Sequence, residues 1–305
     1  MALTGVALLV AALGAAGEAP CIAVSIEPLA FFVERLAGPE QCIAVLVGPG
    51  QSLHIYEPAP KQLAEISSAR IFFGVGMPFE QRVVGKVAAA NPDLKVIDPT
   101  KHIKRRPMDE AELVSDHANQ DREDRPGTPD PHVWLDPSNA KIIAQNVADA
   151  LTQDDPAHAA LYEKNLQGLL QELDSLDTRL REILGPYKGR TFYVYHPAFG
   201  YFADAYGLKQ VSVEIGGKEP TARQLADFID RAKRENVRVI FVQRSFPSRA
   251  AESVAKAVGG AVIKIDPLSR DYIENLESVA LKMREAWQQA DVQSEKPATT
   301  AEPAP

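Results

Sequence analysis

Glu57-Pro58-Ala59-Pro60-Lys61-Gln62-Leu63-Ala64 recurs, lightly altered, as Glu219-Pro220-Thr221-Ala222-Arg223-Gln224-Leu225-Ala226. Two more pairs follow the same order. Ser25-Ile26-Glu27-Pro28 corresponds to Val194-Tyr195-His196-Pro197, each leading into a segment that carries aromatics. Ile97-Asp98-Pro99 corresponds to Ile265-Asp266-Pro267. Matches kept in one order at similar offsets imply an internal duplication, and hence two similar domains.

Working outward, apolar runs alternate with helical patterns in each half. IAVSI is followed by PLAFFVERLAG, whose apolar residues recur at helical spacing and stop at Gly38. IAVLV is followed by a turn and by EPAPKQLAEISSA, with Pro58 and Pro60 near the start of a short helix. ARIFFGVG and DLKVIDP complete the first half. In the second half the strands TFYVYHP, QVSVEI, VRVIFVQ and AVIKIDP are separated by helical stretches. Such alternation is the mark of α/β domains with mainly parallel sheets.

Between the halves, Pro137 to about Leu151 reads as a helix with Asp136 as its cap. From Pro156 to Leu184, Leu161, Leu166, Leu169, Leu170, Leu173, Leu176, Leu180 and Leu184 recur at helical spacing. At about 1.5 Å per residue this helix would span on the order of 40 Å. It is expected to act as a rigid strut; a coiled-coil arm is the weaker alternative, because only one such segment exists. The expected organisation is a signal-like segment at 1–20, an α/β domain at 21–155, the linking helix at 156–185, a second α/β domain at 186–290 and a tail at 291–305. Residues 101–129 are polar, charged and Pro-containing, and read as a long mobile loop. The tail is too poor in apolar residues to build a core and is expected to be disordered.

The 305-residue chain carries a net charge of -8, which argues against a nucleic-acid partner and is compatible with a cationic ligand. Its first twenty residues resemble the apolar region and small-residue cleavage zone of a signal peptide, although no Lys or Arg precedes them. Export to the periplasm is therefore expected. Glu18-Ala19-Pro20 before Cys21 is not a lipoprotein-type box, so no lipid anchor is expected. The two cysteines, Cys21 and Cys42, each open a strand; neighbouring parallel strands would allow a disulfide, and two buried free thiols are the alternative.

Three of the six histidines lie in Pro-flanked contexts at strand ends: His54 in SLHIYEP, His132 in DPHVWLDP and His196 in TFYVYHP. Asp266 ends the strand AVIKI. Ligands of open α/β sheets bind at the carboxyl ends of the strands, so these four would converge in the cleft between the domains. Three imidazoles and one carboxylate form a closed shell for Zn²⁺. Local spacing does not prove it, since no HxxxH or CxxC pair is present. Separate, structurally satisfied histidines remain the alternative, and Asp98, the repeat counterpart of Asp266, is a rival ligand. His102, His117 and His158 read as solvated, with weak metal collection as the alternative for His102 and His117. Trp134 is expected to pack beside His132, and Tyr195 to line the pocket. Glu27, Glu214 and Glu219 fall near the cleft by the repeat and read as caps or surface charges.

GPGQSLHIYEPAPKQL, DPHVWLDPSNA, YHPAFGYFADAYGL and VIKIDPLSRDYIENL together resemble the metal-binding solute-binding proteins of ABC importers, the ZnuA/TroA-like cluster that takes up zinc or manganese. The resemblance runs from about Ala23 to Ala290. It implies two α/β domains bridged by one long helix, with His54, His132, His196 and Asp266 as metal ligands. It also implies a monomeric carrier, not an enzyme, that delivers its ion to a permease in the inner membrane. Three imidazoles favour Zn²⁺ over Mn²⁺, which suits carboxylate oxygens. The 101–129 loop holds only two histidines, a departure from His-rich zinc members that leaves room for manganese or iron. A zinc hydrolase with Asp266 as base is the alternative from another class; neither a nucleophile elbow nor HExxH supports it. An adhesin with an incidental metal is a third.

Overall fold

The computed structural model describes residues 21–51, 53, 56–108, 129–212, 221–235, 237–243 and 248–294. His54, His117, Glu214, Glu219, the signal-like segment and the end of the tail lie outside the described residues.

In the first half, β1 (Ile22–Ile26) runs into α1 (Glu27–Ala37), which ends at Gly38 with φ 95°, a conformation that favours glycine. β2 (Ile43–Val47), α2 (Pro60–Ser67), β3 (Ile71–Phe73), α3 (Pro78–Ala88) and β4 (Lys95–Ile97) follow. The second half repeats the plan with β5 (Thr191–Val194), α6 (Gly200–Tyr206), β6 (Lys209–Ser212), α7 (Ala222–Arg234), β7 (Val239–Gln243), α8 (Ser248–Val258), β8 (Ala261–Ile265) and α9 (Tyr272–Ser294). The connectors are α4 (Pro137–Asp154) and α5 (Ala159–Leu184).

The two sheets have the same topology. Their strand orders are β2-β1-β3-β4 and β6-β5-β7-β8, every pairing parallel. The sequence repeats fall on equivalent places in this plan: after β1 and β5, before α2 and α7, and after β4 and β8. The first and third of these places are thus the carboxyl ends of strands, and the second is the start of a helix. In both sheets the order reverses beside the first strand, which opens a crevice at that strand's carboxyl end.

One hydrophobic cluster runs from the first sheet through α1, α4, α5 and α9 to one face of the second sheet. Alternation along β5 divides its side chains: Phe192 and Val194 join that cluster, whereas Tyr193 joins a second one with Phe228 and Val254. Tyr195 also packs in the second cluster, so it does not line the cleft as expected; it continues the strand's alternation onto the far face.

The linking helix begins later than its leucine pattern suggests. Pro156–His158 form a 3-10 turn, and the α-helix is the 26-residue stretch that follows. α4 extends to Asp154, beyond the expected Leu151. Cys21 and Cys42 are bonded, because β1 and β2 pair with Ile22 opposite Ile43. Closing a loop of 21 residues is worth about 3 kcal/mol in the chain-entropy view.

Of the polar stretch 101–129, only the two ends are described. Its stems are fixed: Pro107 and Pro129 form an antiparallel bridge, and the Asp130 N–H donates to the Arg106 carbonyl at 2.9 Å. Residues 109–128 lie outside the described residues.

Candidate metal centre

His132 follows an Asp-Pro turn. The Asp130 carboxylate accepts from the His132 backbone N–H at 2.9 Å and faces its Nδ1 at 2.8 Å, so one side chain fixes both the turn and the ring. Asp130 is fully buried. Burial alone would raise its pKa. The His132 ring, the His132 N–H and the Arg106 guanidinium outweigh burial and hold the carboxyl below its ordinary value. An ionised Asp130 can only accept, so Nδ1 faces it as the donor and Nε2 is the nitrogen turned toward His196.

His196 follows β5 at the crevice of the second sheet. Gln243, at the end of β7, clamps its backbone on both sides: the His196 N–H donates to Oε1 at 3.1 Å, and Nε2 donates to the His196 carbonyl at 2.6 Å. The clamp is buried, at 1 % exposure for Gln243. The two buried rings meet across the boundary between the halves, with His132 Nε2 and His196 Nε2 3.4 Å apart.

That separation fits a metal. Two imidazole nitrogens about 2.0–2.1 Å from a tetrahedral zinc lie about 3.3 Å from each other. Both edges are thus at ligand spacing before any ion is added. Trp134 closes one flank, its ring 5.4 Å from that of His132 as expected.

Asp266 lies just past β8 and is partly buried. Its Oδ1 accepts from the Leu268 N–H at 2.9 Å, and its carbonyl accepts from Asn275 at 2.6 Å. The next residue ties this turn to that of His132: Trp134 Nε1 donates to the Pro267 carbonyl at 2.8 Å. Asp98 occupies the same turn in the first half, accepting from the Thr100 N–H at 2.8 Å, and is exposed. Among the described residues no group of three or more His, Cys, Asp or Glu side chains is close enough to hold a metal; His54 stands outside that set.

The other polar residues divide clearly. His102 is exposed, with φ 70°, and His158 is exposed and faces Asp155 at 2.7 Å. Glu27, the repeat counterpart of His196, lies 3.8 Å from Arg270; burial raises its pKa and Arg270 opposes the rise. Sequence reasoning missed Asp130, Arg106 and Gln243. The first was discoverable, since an Asp two residues before a histidine can close an Asx turn onto it. Gln243 carried no signal beyond standing at a strand end.

Two α/β halves with equivalent parallel sheets, a long connecting helix and paired imidazoles between them define a solute-binding protein of the metal-binding class. The chain belongs to the family of zinc-uptake complex component A, periplasmic (ZnuA), whose profile matches residues 22–286. This family is a transport component and not an enzyme, so the hydrolase alternative falls. A crystal structure of ZnuA superposes with a TM-score of 0.78 at 36% identity, covering 88% of this chain and 98% of that one. The periplasmic zinc-binding protein TroA from Treponema pallidum shares the fold, with a TM-score of 0.73 at 20% identity over 88% of this chain and 98% of its own. Among curated proteins, the zinc-binding lipoprotein AdcA of Streptococcus pneumoniae (strain ATCC BAA-255 / R6) is 30% identical over 250 residues, 81% of this chain and 50% of AdcA. The iron-binding protein YfeA of Yersinia pestis is 29% identical over 243 residues, 77% of this chain and 74% of YfeA. The chain thus spans about half the length of AdcA, the first of these curated relatives.

Proposed function

We propose that this protein captures a divalent transition metal, zinc foremost, in the periplasm and delivers it as a monomer to the permease of an ABC importer. His54, His132, His196 and Asp266 are the ligands in this proposal. The observation that carries it is the 3.4 Å separation of two buried Nε2 atoms, one from each half of the molecule. An imidazole pair at this spacing suits zinc, whereas manganese favours oxygen ligands. The ion is cargo: it must be held tightly enough to be scavenged and still be surrendered. A closed shell of protein ligands serves that end, because it leaves no position for a reacting water.

The test is metal content and competitive affinity of metal-stripped protein, zinc against manganese, for wild type and His196→Ala. One zinc per chain is expected. Losing one ligand from a four-ligand shell should weaken it by about 100-fold or more, beyond the 10–100-fold typical of an outer-shell change. Zinc binding indifferent to His196, or preference for manganese, would overturn the assignment.

A further inference from the structure

Lys104-Arg105-Arg106-Pro107 looks like a solvated basic run, yet the Arg106 side chain is only 12% exposed. Its Nη1 donates to Asp130 Oδ2 at 3.0 Å, and its Nε donates to Asp204 Oδ2 at 2.8 Å. Asp130 is the carboxylate that holds the His132 ring. Asp204 lies on α6, the helix that starts four residues after His196. One planar guanidinium therefore touches the support of one imidazole and the helix that follows the other.

The surroundings are shaped for this crossing. Gly200 opens α6, and a Cβ there would collide with Arg106 Nη1 and Cζ and lie 2.8 Å from Asp130 Oδ2. Tyr201 Oη accepts from the Arg106 backbone N–H at 3.0 Å and donates to the Asp130 carbonyl at 3.0 Å. Arg106 Cζ also lies 5.9 Å from the Tyr201 ring centroid. From the other side Arg105 fastens the same turn to the first half, donating to the Thr100 hydroxyl at 2.6 Å and to the Val75 and Pro131 carbonyls.

We propose that Arg106 is a positioning residue of the metal centre, which aims the His132 ring through Asp130 and sets its distance from His196 through Asp204 and α6. This rests on the reading of His132 and His196 as metal ligands. The geometry requires arginine: two nitrogens of one rigid fork reach two carboxylates in different halves, and a lysine ammonium is a single point. Both rings must stand within about 0.5 Å of their ligand positions for tight binding, so a loose brace is felt directly at the metal.

The test compares Arg106→Lys, Arg106→Gln and Asp204→Asn with wild type and with His132→Ala. Zinc affinity is measured by chelator competition, coordination by the visible spectrum of the Co²⁺-loaded protein, and folding by the melting temperature without metal. Both Arg106 variants should lose about 10- to 100-fold in zinc affinity and shift the cobalt bands, as removal of an outer-shell partner does. Asp204 is 62% exposed, so Asp204→Asn should keep the metal-free melting temperature and lose about two- to five-fold in affinity. Wild-type affinity and cobalt bands in Arg106→Lys would overturn the proposal, since charge without the fork would then suffice. If His132→Ala abolishes zinc binding while Arg106→Lys is unaffected, only the bracing role fails. If His132→Ala binds zinc normally, the ligand assignment fails with it.

Discussion

Trp134 has no exposed surface, yet its indole is more than filler. Its Nε1 serves the Pro267 carbonyl at 2.8 Å, and its own carbonyl accepts from Tyr272 Oη at 2.5 Å. These bonds cross from the His132 turn to the Asp266 turn and to the start of α9. Trp134→Phe keeps much of the ring volume and deletes the donor, leaving the Pro267 carbonyl buried without this partner. An unmet buried acceptor costs about 1–3 kcal/mol, so the urea midpoint should fall by the corresponding amount. Zinc affinity should fall as well, because the Asp266 turn loses its tie to the His132 turn. An unchanged midpoint would mean that water replaces the indole N–H, and that the two turns are not braced through it.

At the scale of elements, the cap of α4 carries a cost as well as a gain. Asp136 Oδ1 accepts from the Ser138 N–H at 2.8 Å, which satisfies the helix start. Burial, reinforced by Asp177, raises the Asp136 pKa above its ordinary value. A carboxyl whose folded-state pKa is raised adds stability below the unfolded value, about 3.9 for Asp, and that contribution is lost as pH rises through the folded value. Asparagine caps as well as aspartate and carries no charge. Asp136→Asn should therefore match wild type below pH ~4 and be more stable at neutral pH, by up to about 1 kcal/mol. Urea titrations across that range check it; a variant less stable at pH 7 would show the charge to be favourable. The elements themselves were legible for a physical reason. Strand ends in a parallel sheet meet the same demands in each half, so SIEP and VYHP kept a proline after the strand and the two IDP turns kept all three residues. The cap at Asp136 and the stop at Gly38 are local and were readable too. Arg105 and Arg106 were not, because their partners Val75, Pro131 and Asp204 are distant in sequence, and a charged run bonded at long range looks like one in solvent. Tyr195 was readable from the alternation of β5 but was judged by its nearness to His196.

At the scale of the whole molecule, the halves are joined too firmly for a wide hinge. α5 packs against α1 and α4 on one side and against α6 and α9 on the other, and the largest apolar cluster continues across the boundary. Polar ties flank the candidate metal centre: Arg106 reaches Asp204, and Arg270 reaches Glu34 at 2.8 Å and Glu27 at 3.8 Å. Opening a cleft would break these ties together and expose apolar surface at about 25 cal/mol per Å². A ligand can shift such an equilibrium only by its differential affinity for the two states. Since His132 and His196 already stand at zinc spacing, the bound ion gains little by drawing the halves together. The radius of gyration from small-angle scattering should therefore change by less than about 1 Å between metal-stripped and zinc-loaded protein, the scale of backbone shifts in preorganised complexes. Under the proposed carrier function, release would then come from local movement at the turns that hold His132, His196 and Asp266. A contraction of several ångströms on loading would show instead that the apolar boundary parts in the free protein, and that the paired imidazoles belong to its closed state.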